Sequence, residues 1–508
     1  MSSLFAKKPL SMILDEREGE GGPRLKRVLG PLGLTSLGVG AIIGTGIFVL
    51  IGEVAHEKAG PAVMLSFVVA GLACLFAALC YAEFASMVPV AGSAYTYAYA
   101  TLGELMAWII GWDLVLEYAV GSATVASGWS GYFQKLLEMV GKLFHQDWSL
   151  PKAIAKAPIR YIAETGKFEE TGAYINLPAF VITMIITAIL VRGIRESVRF
   201  NAVMVIVKLL VVAFVIGVGA FYVDPRNWQP FAPKGWTGIS FFGKTIFGTE
   251  DGGGKPLGMI AGAATIFFSY IGFDSVSTQA EECKNPKRDL PIGIMASLIL
   301  CTILYIAVAA VLTGMVATPD ISKEAPISNA FERYNLKSAN WLITIGALTG
   351  ITSVLLVMML SQPRVFLAMA RDRLLPPGFF AAVHPRFQTP WKSTILCGLA
   401  VALMSSFLPL GILAELVSIG TLFAFVIVCG AVLIMRRTNP DAERPFRAPL
   451  VPFVPIAGIA ICLLLMFSLP VDNWYRLLGW LAIGLAIYFG YGRSRSVLGR
   501  HNAANPPA

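Results

Sequence analysis

Charge is what this sequence has least of. Of its 508 residues 14% are charged, where a water-soluble domain carries about 25%. Hydrophobic residues make up 56% and the mean hydropathy is +0.69, so there is too little polar surface to cover a soluble fold of this size. Histidine is nearly absent: His56, His145, His384 and His501 are scattered, which leaves metal or general-base catalysis without a cluster to work in and excludes an enzyme reading. The seven cysteines show no CxxC and no metal-ligand spacing, and all but Cys283 fall in apolar runs; they read as small packing residues, with no cofactor or metal implied. The first thirty residues lack the apolar core of a secretory signal. The net charge of +9 does not point to nucleic acid, because the cations gather in short segments between apolar runs, as membrane topology requires.

What is abundant is long apolar sequence. Twelve runs are long enough to span a bilayer, near 34–52, 61–88, 105–134, 175–191, 200–222, 259–280, 291–317, 340–362, 393–410, 412–435, 451–470 and 474–491. With the N-terminus inside, the inner segments hold about 24 of the 40 Lys and Arg, and the tight connections "VRGIRESVRF" and "KNPKRDLP" carry the orientation. The expectation is a multi-pass protein of the plasma membrane (a bacterial inner membrane) with both termini cytoplasmic.

The first run contains "GVGAIIGTGIF", Gly38 to Phe48, with four glycines in eleven residues. Each costs a helix interior roughly 1 kcal/mol relative to alanine. Five runs later "GMIAGAATIFFSYIGFDSVSTQAEE" is interrupted at "SYIGFDS" by a glycine and an ionisable residue. Five spans per unit would invert the second unit, so residues 34–222 and 223–435 read as an inverted pair. Residues 1–33 form an N-terminal cytoplasmic segment, 436–491 two appended spans and 492–508 a cytoplasmic tail. Matching breaks in two halves are the sequence pointer to a transporter site; the plain alternative is glycine-mediated helix packing. Two soluble-protein motifs fail: "GVGAIIG" misplaces the third glycine of GxGxxG, and "DGGGK" lacks the rest of a phosphate loop.

Broken backbone in hydrocarbon must line a cavity or meet a ligand. The half-helix after a break offers N–H groups and a positive end to a carboxylate, and the half-helix before it offers carbonyls to an ammonium. A pocket with both suits a zwitterion, an α-amino acid, with the Thr45 hydroxyl on the carboxylate side.

The stretches "GVGAIIGTGIF", "FFSYIGFDSVSTQAEECKNPKRDLPIGI", "SQPRVFLAMARDRLLP" and "VHPRFQTPW" resemble the amino acid–polyamine–organocation transporters, and "GWDLVLEY" and "LAELVSIGTLFAF" resemble their cationic amino acid transporter branch. The resemblance covers roughly residues 25–490. It implies an all-α integral membrane protein of twelve transmembrane helices, with the leucine-transporter-type five-plus-five inverted repeat and two extra helices. It also implies a substrate carboxylate at the backbone of Gly44, Thr45 and Gly46, beside Ile43, and a substrate ammonium at the carbonyls of Ile42, Phe268, Ser269 and Ile271. Phe268 stands where family members carry a gating aromatic; its plain alternative is a packing or lipid-facing ring.

Lys208 lies mid-span in "NAVMVIVKLLVVAFVIG". A charge there must pair, face a cavity or lose its proton; the functional reading is a proton carrier and the plain one a snorkelling lysine. In the resembling transporters a lysine here replaces a bound sodium ion, which implies hydrogen bonds from Lys208 to the span near Ile42 to Gly44. Glu117, four residues after Asp113 on one helical face, is read as a proton-coupling partner of Lys208 or a group facing a basic substrate. Asp274 is read as tuning the site or meeting a cationic side chain, Met358 as a wall of the side-chain pocket or a core methionine, and Glu83 as a structural partner of basic loops. The expected activity is proton-coupled symport of L-amino acids by alternating access, cationic ones foremost and small neutral ones admitted, with exchange on the same fold as the alternative. A channel would show pore loops or rings of charge, and none are present. The expected partners are the amino acid, the proton and membrane lipid, with no nucleic acid, and the expected working unit is a monomer.

Overall fold

The computed structural model describes residues 3–9, 27–90, 92–162, 167–241, 244–250, 256–322, 325–408, 410–469 and 471–504. Most of the N-terminal segment, residues 10–26, lies outside them, as do the end of the tail and "DGGGK", residues 251–255.

Helix α1, Pro31–Ile42, starts with proline in its first turn, where a missing N–H costs nothing. It stops because Ile43 turns extended, at φ −75° and ψ 104°. The chain resumes as wide π-type turns over Gly46–Leu50 and Ala55–Ala59. Helices α2 (Val63–Met87), α3 (Glu104–Leu143), α4 (Leu177–Arg192) and α5 (Ile194–Gly219) follow. The Asn176 side chain accepts the Ala179 N–H and caps α4. Helix α6, Met259–Ile266, tightens into a 3₁₀ turn over Phe267–Tyr270 and breaks at Ile271 and Gly272. It continues as a nine-residue 3₁₀ segment, Asp274–Glu282, long for that geometry. The further long helices are α7 (Pro286–Met315), α8 (Lys337–Arg371), α9 (Trp391–Phe407), α10 (Leu410–Thr438), α11 (Phe453–Phe467) and α12 (Val471–Ile487).

Among the described residues, seven helical segments are long and apolar enough to cross a membrane, the first of them, Pro31–Met87, covering two of the apolar runs; α4, α9 and α11 are shorter apolar helices. Two expectations need adjusting. Helix α3 does not end near 134 but runs to Leu143, because "FQKLLEMVGKL" keeps strong helix formers beyond the apolar limit. The fold is also not purely helical: short antiparallel ribbons pair Ile159–Ile162 with Lys167–Glu170, Ile239–Phe241 with Lys244–Phe247 and Thr249–Glu250 with Pro256–Leu257, all in polar loops.

The largest packing interfaces join α3 with α8, α2 with α7, α1 with α7, α3 with α10, α10 with α11, and α4 with α9. Large apolar side chains turn outward on α5 (Val203, Ile206, Leu210), α7 (Ile299, Ile303) and α9 (Leu396, Leu399, Leu403), as in a protein whose surroundings are lipid. Polar and ionisable groups are inside instead.

At the end of the bundle where α3 begins and α8 finishes, a strap formed by residues 3–9 crosses the helices. Lys8, 4% exposed, pairs with Asp372, which also accepts the Tyr95 hydroxyl. The Lys8 N–H donates to Tyr99 O and the Glu104 N–H to Ala6 O, each at 3.1 Å. Gly103, at φ +101°, has no room for a Cβ, which would lie 2.6 Å from the Phe5 backbone. Removing one partner of a buried pair costs about 3–5 kcal/mol. Lys8→Ala is therefore expected to speed proteolysis of this strap by at least ~tenfold while the helical bundle stays resistant; an unchanged cleavage rate would show that the pair does not hold it.

Candidate functional site

The four glycines of the first broken span divide into two groups. Gly38 and Gly40 sit within α1 and let neighbours approach: a Cβ would meet Ser297 of α7 at 2.3 Å in one case and Asn201 of α5 at 2.6 Å in the other. This is the packing role that glycine commonly has in membranes. Gly44 and Gly46 belong to the break. A Cβ at Gly44 would lie 2.5 Å from Val354 of α8, and one at Gly46 would lie 2.3 Å from the Ser269 side chain in the opposite break. A Cβ at Gly272, at φ +115°, would lie 2.9 Å from Ala41. The two interruptions therefore face each other at contact distance.

The last turn of a helix leaves carbonyls without N–H partners, and here most are accounted for. Lys208 Nζ donates to Val39 O at 2.8 Å, Gly40 O at 3.0 Å and Ile43 O at 2.9 Å, and lies 3.2 Å from Ser353 Oγ. These acceptors lie two to three residues earlier than expected, apart from Ile43, because α1 runs unbroken to Ile42. Ser353 in turn contacts Gly40 O and Asn201 Oδ1, and Asn201 Nδ2 donates to Ser36 O. Lys208 is fully buried, its ammonium set against the negative end of α1.

Tyr305, in α7, was not singled out by sequence reasoning. Its hydroxyl spans both breaks, 2.6 Å from Ile42 O and 2.9 Å from Ser269 O. Those are two of the four carbonyls expected to meet the substrate ammonium, and in this conformation the Tyr305 hydroxyl lies against both. Phe268 O accepts the Ile271 N–H. The signal was present as a lone hydroxyl in the apolar run "ILYIAVAA". Two hydroxyls at the breaks, Thr45 Oγ1 and Ser269 Oγ, are buried without a hydrogen-bond partner among the described residues, as expected of groups kept for a ligand. Ile42, Ile43, Thr45, Phe268, Ser269 and Ile271 are each at most 7% exposed, so the site is occluded.

Gly350, Val354 and Met358 recur every fourth residue on one face of α8. Gly350 approaches Lys208 and Ile43, Val354 approaches Gly44, and Met358 lies over Gly121 of α3, whose added Cβ would be 3.2 Å from the Met358 sulfur. Met358 thus sits one helical turn from the residue touching the break.

Glu117 does not pair with Lys208, whose hydrogen bonds go to carbonyls and Ser353. It belongs instead to a group of carboxyls. Asp274 Oδ2 accepts the Tyr118 hydroxyl at 2.6 Å, while Asp274 Oδ1 and both oxygens of Asp113 have no hydrogen-bond partner among the described residues, and Glu117 has only the Thr421 hydroxyl nearby. All three residues are at most 1% exposed, and Glu117 is within electrostatic reach of the other two. Beyond them the chain is tied shut. Arg364 of α8 makes a two-pronged pair with Glu282, Arg371 makes another with Glu281, and the Val28 and Leu29 N–H groups donate to Glu282 O. Glu83 accepts from Arg436 and from the Ala448 N–H, next to Arg444.

Two discontinuous helices meeting at an occluded centre, inside a shell of outward-facing apolar helices, define an integral membrane permease rather than an enzyme. The family model described as amino acid permease matches residues 29–488, and the chain belongs to that family. It is 48% identical to the branched-chain amino acid permease BcaP of Bacillus subtilis (strain 168), over 98% of this chain and 99% of that one. It is 45% identical to the methylthioribose transporter of the same organism, over 98% and 100%. It is 39% identical to the vacuolar cationic amino acid transporter 4 of Arabidopsis thaliana, over 87% of this chain and 68% of that one.

Proposed function

We propose that this permease is a proton-coupled symporter that carries L-amino acids across the cell membrane by alternating access. The observation that carries the proposal is the pair of facing breaks, with two buried unpartnered hydroxyls between them and a buried ammonium seated on the end of α1. Opposed half-helix ends suit a zwitterion. Methylthioribose, a neutral sugar thioether, would use neither end. The substrate carboxylate is assigned to Gly44, Thr45 and Gly46. The ammonium is assigned to Ile271 and Phe268, and to Ile42 and Ser269 once Tyr305 yields them.

Helix packing supports the five-plus-five reading: α2 with α7, α3 with α8 and α4 with α9 are partners five apart, and α3 with α10 mirrors α5 with α8. Spans 1–5 and 6–10 are thus proposed as the two repeats, followed by two further helices, in a twelve-span monomer with both termini cytoplasmic.

Protonated Lys208 has three N–H donors for its oxygen neighbours. Neutral lysine has two and a lone pair turned toward a carbonyl. Loss of the proton therefore loosens α1 from α5, and this is the proposed coupling step. The Glu117, Asp113 and Asp274 carboxyls lie further along the same core, where buried unpaired acids take up protons or a cationic side chain. Lysine, arginine or ornithine would use them; small neutral or branched residues would end against Met358.

Uptake of each of the twenty amino acids into liposomes at two pH values, with and without an imposed proton gradient, tests this reading. Accumulation that needs an inward proton gradient is expected, and gradient-independent exchange would overturn the symport. Met358→Ala should raise the uptake of long side chains relative to short ones by about tenfold, the worth of a methylene or two in an apolar pocket. An unchanged ratio would place Met358 in the core instead.

A further inference from the structure

We propose that the α9 entrance holds one anionic phospholipid, its phosphate at Lys392 and Arg386 and one acyl chain along the outer face of α9. A cavity of about 380 Å³ lies between the short helix Pro377–Phe380 and the first turns of α9, walled by Phe379, Trp391, Lys392, Ile395, Leu396 and Leu399. It is apolar except at one point. Lys392 Nζ lies 3.3 Å from Gly378 O and 5.7 Å from the Trp391 ring centre, so the ammonium is held at the rim without a carboxylate partner among the described residues.

Along this stretch of the sequence the charges are of one sign. Between Asp372 and Glu415 the sequence has no acidic residue, while it carries Arg373, Arg386 and Lys392. Arg386 is exposed, with its guanidinium over the Phe387 ring. The same loop is fastened to the end of α4 by Thr389 Oγ1 donating to Val191 O, beside the exposed Arg192. The start of α9 adds the positive end of a helix dipole.

The apolar half of the ligand is written on α9. Leu396, Leu399, Leu403 and Phe407 are 42%, 42%, 51% and 42% exposed and follow helical spacing. They form a stripe about 16 Å long from the cavity outward, close to half the hydrocarbon thickness. A small free anion would use the cations and leave this stripe idle; a glycerophospholipid uses both. Tryptophan and lysine at the rim are the residues that membrane interfaces favour.

The test uses the full chain, stripped of lipid in detergent and titrated with phosphatidylglycerol or with phosphatidylcholine of the same acyl chains. Bound lipid is counted by native mass spectrometry. Retention of phosphatidylglycerol is expected at about fivefold lower concentration than phosphatidylcholine. Lys392→Gln with Arg386→Gln should erase that preference, and Lys392→Arg should keep it, which separates loss of charge from loss of fold. Equal binding of the two lipids, or an undiminished preference in the double variant, overturns the proposal. So does release of the phosphatidylglycerol by millimolar inorganic phosphate, which would make this a small-anion site.

Discussion

Lys208→Ala is expected to abolish proton-driven accumulation, so that the amino acid only equilibrates across the liposome membrane and no longer concentrates on an imposed proton gradient. The variant removes the donor from Val39 O, Gly40 O and Ile43 O at once; Ser353 still reaches Gly40 O. The end of α1 then loses its lysine contacts with α5, leaving Asn201 on Ser36 O, and the proton site seated on the break of α1 is gone. Tyr305 and Ser269 are untouched, so substrate binding is expected to persist at reduced affinity while accumulation is lost. A Lys208→Ala protein that still concentrates substrate on an imposed proton gradient contradicts the coupling role and makes this lysine a structural filler.

The second large effect is expected from a single methyl group. Gly272→Ala places a Cβ 2.9 Å from Ala41 Cβ and 3.1 Å from Ala41 O, at a φ of +115° that side chains resist. Strain and overpacking of this kind cost about 2–4 kcal/mol together. Because it falls where the two broken spans touch, it should separate them. Binding and transport are expected to fall at least ~30-fold with the protein still monodisperse in detergent. Gly217→Ala in α5 is the control: nothing lies within 4 Å of its added Cβ and its φ is unremarkable, so it should transport normally. Equal behaviour of the two variants would mean that the facing breaks do not form the site.

The parts of this architecture that follow a local rule are legible in the chain. Apolar length marks the spans, and a glycine beside an ionisable residue marks the break in the sixth. A lysine amid valines and leucines marks a buried cation. Distance in sequence hides the rest. Tyr305 reads as one more apolar-span tyrosine until α7 packs against both breaks. Ser353 and Asn201 gain meaning only when α8 and α5 converge on α1. Gly38 and Gly40 are indistinguishable in sequence from Gly44 and Gly46, yet the first two serve packing and the last two the break. Whether a glycine loosens a helix or seats a neighbour depends on the partner opposite it. For Glu117, a carboxylate and a lysine in one membrane core suggest a pair, while in this conformation Lys208 meets backbone oxygens and Glu117 lies near other acids. The strap and the α9 cavity depend on segments of little sequence pattern, residues 3–9 and 377–392.

The central claim is that the two breaks hold the charged ends of an α-amino acid. The most direct measurement compares binding of the best L-amino acid ligand with that of its carboxamide and its N-acetyl derivative, by calorimetry on the detergent-purified chain. Each derivative removes one charge and keeps the side chain. Both are predicted to bind at least ~100-fold more weakly, as expected when a buried charge-assisted contact is lost. Binding of either derivative within a few-fold of the parent amino acid would contradict the account.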